Sequence, residues 1–154
     1  MITSIDKSKK DSLTSDGLAG YTLKEYGTVV AWASRLENGK PLVLGQSYVM
    51  SNYFYKKEIA DSVFAYDGNL MQYTNVLVGF SLDQCKDDLA MRSYLILENA
   101  EGNEITLYGG IVQRCIGYIA EQNANTFAPE TDAYNYVWDI IRHVYGEDYV
   151  SQAA

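Results

Sequence analysis

Asp67-Gly68 stands between two runs rich in β-branched and aromatic residues, Asp61–Tyr66 and Leu70–Phe80. An Asp-Gly step there calls for positive φ, which a tight hairpin turn uses and a helix does not. This pair of runs therefore commits the middle of the chain to antiparallel strands. A second pair, Met91–Leu97 and Ile105–Tyr108, flanks the Gly-containing loop Asn99–Asn103 and predicts a second hairpin. Gly27–Ser34 (GTVVAWAS) reads as a buried strand, and Asn38-Gly39 with Pro41 as the turn after it. Gly109-Gly110 breaks the sheet, and Ile111–Ala120 follows as a strand or as a strand running into a helix.

The C-terminal part has a different period. Ala133, Val137, Ile140, Ile141 and Val144 recur at helical spacing, and Tyr134, Trp138 and Tyr145 widen the stripe. Thr131 is the expected N-cap with Asp132 in the first turn. Arg142 and His143 fall in the last turn and Gly146 is the expected C-cap. Residues 1–20 are polar and read as an arm or loop. The expected fold class is all-β: an antiparallel β-sandwich over 21–128, one C-terminal α-helix over 129–146 packed on it, a polar arm at 1–20 and a tail at 147–154.

Charge narrows the functions open to such a chain. Its 154 residues carry 12 Lys+Arg against 20 Asp+Glu, a net charge of −8. Nucleic acid and anionic membrane surfaces need a basic footprint, so neither is an expected partner. No stretch has the roughly 18 apolar residues of a membrane helix, so no membrane insertion is expected. The opening MITSIDKSKK has no apolar run and so reads as no signal peptide. Fourteen residues are Tyr, against two Trp and four Phe. Tyrosine favours strands, and it also supplies contact area on recognition surfaces at low entropic cost.

Catalytic equipment is sparse. His143 is the only histidine, so any Ser-His-Asp or Cys-His arrangement would have to use it. Its place near a helix C-terminus already explains a cationic side chain. None of the Gly-rich phosphate loops, zinc helices or nucleophile elbows is present. Asp16-Gly17, Asp67-Gly68-Asn69 and Glu101–Glu104 are acidic turns without EF-hand spacing, so turn chemistry accounts for them without a metal. Cys85 and Cys115 are too few for a structural zinc site or a disulfide scaffold. Free thiols are expected, with Cys115 buried in its apolar run and Cys85 in a polar connection. No catalytic residue, metal ligand or cofactor is assigned.

The segment Gln46–Tyr55 (QSYVMSNYFY) is the ligand-contact candidate. It lacks the alternation of a core strand, while Tyr48, Tyr53 and Tyr55 offer stacking faces and Asn52 adaptable hydrogen bonds. Sheet-edge packing would use the same residue types. A polysaccharide or another surface protein is the expected partner.

Several phrases occur together in order: Glu25–Ala33 (EYGTVVAWA), Gln72–Gly79 (QYTNVLVG), Arg92–Leu97 (RSYLIL), Tyr108–Gly110 (YGG) and Arg114–Ala120 (RCIGYIA). The span 21–145 resembles a β-sandwich accessory module of large cell-surface or cellulosome-associated proteins of gut and rumen clostridia, within the Firmicutes. In that module Cys115 is more often Ser, and strands precede the EYGT phrase. The polar residues 1–20 read as unable to supply them, as in a truncated copy. The resemblance implies a non-catalytic extracellular or cell-surface module within a larger protein, with glycan as one ligand class. It carries over no functional residue. A structural spacer or protein-assembly module is the alternative, and a small hydrolase a further one.

Overall fold

The computed structural model describes residues 2–6, 8, 20–50, 65–74 and 77–150. Seven strands lie among them: β1 (Ile2–Asp6), β2 (Thr22–Trp32), β3 (Ala65–Asp67), β4 (Leu70–Thr74), β5 (Asp88–Glu98), β6 (Glu104–Tyr108) and β7 (Val112–Cys115). Two α-helices follow, α1 (Ile116–Gln122) and α2 (Asp132–Tyr145). Short 3-10 segments span Ala33–Gly39 and Leu82–Lys86. One sheet has the order β1-β4-β3; the other runs β2-β5-β6, with β7 also paired to β5.

Both expected hairpins form. Asp67 faces Leu70 across Gly68-Asn69, with Gly68 at φ 57°. β5 and β6 pair from Tyr94↔Tyr108 to Glu98↔Glu104. Their loop closes on Asn99, whose Oδ1 accepts from the amides of Glu101 and Asn103 at 3.1 and 2.8 Å. Gly102 takes φ 81° there, a conformation that a side chain would strain.

Two compact units divide the chain. The first comprises Met1–Val29, Val43–Leu77 and Arg92–Gly110; the second Val30–Leu42, Val78–Met91 and Ile111–Ala154. In the first, Thr28, Val29, Val49, Tyr94 and Leu97 are buried. In the second, Val30, Ala31, Leu42, Leu89, Ala90 and Met91 are buried, and Trp32 meets Phe80 edge-on with centroids 5.8 Å apart. The second unit also holds a helical core of Cys85, Ala120, Ala124, Ile140 and Ile141. Ile116, Val137, Trp138, Val144 and Tyr149 pack around it.

The helix α2 has the expected caps, inside the expected span. Thr131 Oγ1 accepts from the Tyr134 amide at 3.2 Å, and Gly146 ends the helix at φ 106°. Its partner is not the expected one. The apolar stripe packs on α1 and on Leu82–Lys86 rather than on a sandwich face. The fold is therefore mixed α/β, with an open antiparallel sheet, and the expected all-β sandwich with a single helix is corrected. The reason lies in α1, which places a helix inside the span 21–128. Cys115 caps it, its Sγ accepting from the Tyr118 amide at 3.3 Å. Gly117 then lets α2 approach closely, because a Cβ at that position would lie 2.7 Å from Val144 Cγ1.

Three further expectations change. Ile2–Asp6 is a strand paired along β4, so composition misread part of the polar arm. Of the strand expected over Leu70–Phe80, Leu70–Thr74 forms and Leu77–Phe80 lie outside any strand. Both cysteines are free thiols as expected, but Cys85 is the buried one and Cys115 is only half-buried.

Candidate functional site

The ligand-contact candidate begins in a loop of the first unit that the sheet holds in place. Gly45 turns the chain at φ 80°, and the Val49 amide donates to the Gln46 carbonyl at 3.0 Å. Val49 is buried beneath the loop, and Tyr48 is half-buried. Asn52, Tyr53 and Tyr55 lie outside the described residues, so of the four candidate residues only Tyr48 is placed.

The loop is fastened through β6. The Leu44 amide donates to Tyr108 Oη at 2.9 Å, across 64 residues of sequence. Tyr108 is held in turn. The Arg92 guanidinium lies over its ring, 4.6 Å from the centroid, while Arg92 Nε donates to the Gly109 carbonyl at 3.0 Å. Tyr94, opposite Tyr108 on β5, has its ring centroid 6.5 Å away and donates its hydroxyl to Glu25 Oε1 at 2.6 Å. Glu25, Tyr94, Tyr108 and Arg92 thus tie three strands to one loop. Each polar end has a partner and each ring a neighbour, which limits rotamer freedom at the base of the loop. Such a base suits a loop that presents side chains to a ligand.

Lys24 bridges Glu98 and Glu104 at the end of the β5–β6 hairpin, and their hydrogen bonds hold its ammonium above the usual lysine range.

The second unit carries the titratable groups a chemist would inspect first. His143 Nε2 lies 3.0 Å from Asp83 Oδ1, tying the last turn of α2 to the segment Leu82–Lys86. Both side chains are exposed, so the helix-end setting expected for His143 gains a carboxylate partner. Glu121 is a buried carboxylate that sequence reasoning did not single out. Its Oε2 accepts from Gln122 Nε2 at 2.6 Å and its Oε1 lies 3.5 Å from the Tyr149 hydroxyl. Tyr149 stacks on Tyr145 with centroids 4.7 Å apart. Nothing local in Ala120-Glu-Gln122 signals burial, because the covering residue comes from beyond α2. Among the described residues, no three His, Cys, Asp or Glu side chains gather closely enough to hold a metal ion.

Comparison with known protein families, curated proteins and solved structures finds no match to this chain.

Proposed function

We propose that this chain is a non-catalytic module of an extracellular surface protein that holds a neutral polysaccharide on the loop bearing Tyr48. The observation that carries the reading is the fastening of that loop by Tyr108, itself set between Arg92 and Tyr94. A sugar face stacks on an aromatic ring with little directional bonding, so a fixed ring is most of what such a site needs. The tyrosine-rich continuation Ser51–Tyr55 supplies further rings of the same kind. The net charge of −8 favours neutral ligands over polyanions. The resemblance of 21–145 to clostridial surface modules supports the extracellular setting.

The test is affinity electrophoresis on plant cell-wall glycans. Retardation is expected on at least one glycan. It should be reduced by Tyr48→Ala, Tyr53→Ala or Tyr55→Ala, since anchors of this type carry most of the affinity. It should change little with salt, because neutral sugars release no counterions. Absence of retardation on every glycan would leave the spacer or assembly reading in its place.

A further inference from the structure

Cys85 and Cys115 stand 30 positions apart in sequence, and the fold of the second unit draws them to one junction. Cys115 is the last residue of β7 and pairs with Asp88, the first residue of β5. Residues directly opposite in an antiparallel pair have Cα atoms about 4.5–5.5 Å apart. Cys85 comes three residues before Asp88, in the 3-10 turn Leu82–Lys86 that leads into β5. It belongs to the helical core, and Ile116, the residue after Cys115, packs on that same core. Leu82–Lys86 also packs on α1, whose first turn Cys115 caps. The two thiols sense each other, because Cys115 adds to the raised proton affinity of Cys85. Such an influence weakens with distance.

Their settings differ in a useful way. Cys115 is half-buried and meets solvent. Cys85 is 3% exposed, and its Sγ donates to the Ser81 carbonyl at 3.4 Å. An oxidant from solution therefore meets Cys115 first, and Cys85 is the thiol placed to finish the reaction.

We propose that this junction is a site of reversible oxidation, at which a peroxide converts Cys115 and Cys85 into an intramolecular disulfide. The Cys115 thiolate attacks a peroxide oxygen. An S–O bond forms, the O–O bond breaks and hydroxide leaves, which makes a sulfenic acid of Cys115. The Cys85 thiolate then attacks the Cys115 sulfur. The S–S bond forms, the S–O bond breaks and a second hydroxide leaves. The two hydroxides take up the two thiol protons as water, so the thiols lose two electrons and the peroxide gains them. Cys85 gives up only a weak S–H hydrogen bond. A dithiol reductant reverses the change.

The bridge ties Leu82–Lys86 to the start of α1, the two supports on which α2 packs. It also closes a loop of about 30 residues in the unfolded chain. Oxidation should therefore raise the thermal midpoint, by roughly 5–15 °C. The inference does not depend on the glycan reading.

The test is to treat the folded full chain with hydrogen peroxide at low protein concentration. Intact mass should fall by two hydrogens, and non-reducing peptide mapping should join the Cys85 and Cys115 peptides. The midpoint should rise and return to its starting value with dithiothreitol. Cys115→Ser should lose no hydrogens under the same treatment. In Cys85→Ala the reaction should stop at the Cys115 sulfenic acid, which dimedone traps as one adduct. Far-UV circular dichroism checks each variant's fold. Should Cys85→Ala fail to fold, the wild-type map and Cys115→Ser decide the matter. A wild-type chain that gains oxygen without losing hydrogens would overturn the proposal, as would a disulfide joining two chains or a bridge that forms only in urea. So would a bridged chain with a midpoint no higher than that of the reduced one.

Discussion

Tyr94 is 1% exposed, yet its hydroxyl reaches the Glu25 carboxylate at 2.6 Å. A hydrogen bond to a charged partner contributes about 1.5–3 kcal/mol, and removing one end leaves the other desolvated. Tyr94→Phe should lower stability by about that amount in urea unfolding, with an unchanged denaturant slope. The abundance of tyrosine was legible; which tyrosine would be buried was not, because that depends on Glu25 lying across the sheet. The cysteines teach the same lesson. Ile111, Val112 and Ile116 around Cys115 predict burial, but among the described residues β7 has one strand beside it, and Cys115 is half-buried. Cys85 looks exposed among Asp83, Lys86 and Asp87, yet its 3-10 turn directs it into the helical core, where its Sγ donates to the Ser81 carbonyl at 3.4 Å. Alkylation of the native protein should modify Cys115 first. Cys85 should react only on unfolding, and peptide mass mapping after timed quenching would read the order.

Among the elements, α2 was the most legible. Its 3.6-residue period, Thr131 cap and Gly146 stop agree with one another, and agreement between levels is what specifies an element. The two hairpins were legible for the same reason, through their turn residues. α1 was not. It is seven residues long, carries a glycine and is capped by a thiol rather than a hydroxyl or carboxylate, so local propensity argues against it. Packing decides instead, and Gly117 against Val144 is the contact to test. Alanine in place of glycine ordinarily favours a helix by about 1 kcal/mol. Here the new Cβ would lie 2.7 Å from Val144 Cγ1, so Gly117→Ala should destabilise, by about 1–3 kcal/mol as overpacking does. Val144→Ala should cost stability alone but relieve Gly117→Ala in the double variant. A thermal double-mutant cycle with additive effects would show that the helices do not meet there. Ile141 is fully buried in the same core, and Ile141→Ala should cost about 2–5 kcal/mol by calorimetry.

For the molecule as a whole, composition was a poor guide to class: tyrosine and β-branched residues promised a sandwich, and a mixed α/β fold resulted. The candidate loop stands out in the sequence as a segment without period, but its fastening joins Leu44 to Tyr108 across 64 residues, and no local pattern encodes that. What the folded chain does set, and sequence cannot, is how tightly it holds protons. Burial raises the Cys85 thiol above its ordinary 9.0, with Cys115 adding to it. Burial likewise raises the Tyr145 phenol above its ordinary 10.0. The hydrogen bonds from Lys24 to Glu104 and Glu98 raise its ammonium above 10.5. All three shifts have one sign. The folded protein keeps protons that the unfolded chain releases, so stability falls wherever the unfolded state binds fewer. The contribution is intact below about pH 9, the ordinary cysteine value, and is lost as pH climbs through the raised values. The thermal midpoint should therefore hold to about pH 9 and decline from there to about pH 11, as the unfolded chain's groups lose their protons. Salt separates the sources: it should weaken the exposed Lys24 contribution and leave the buried Cys85 one. Cys85→Ala should flatten the first part of the decline, and Lys24→Met the last. A midpoint that holds level or rises over this range would mean these groups are not held as the fold places them.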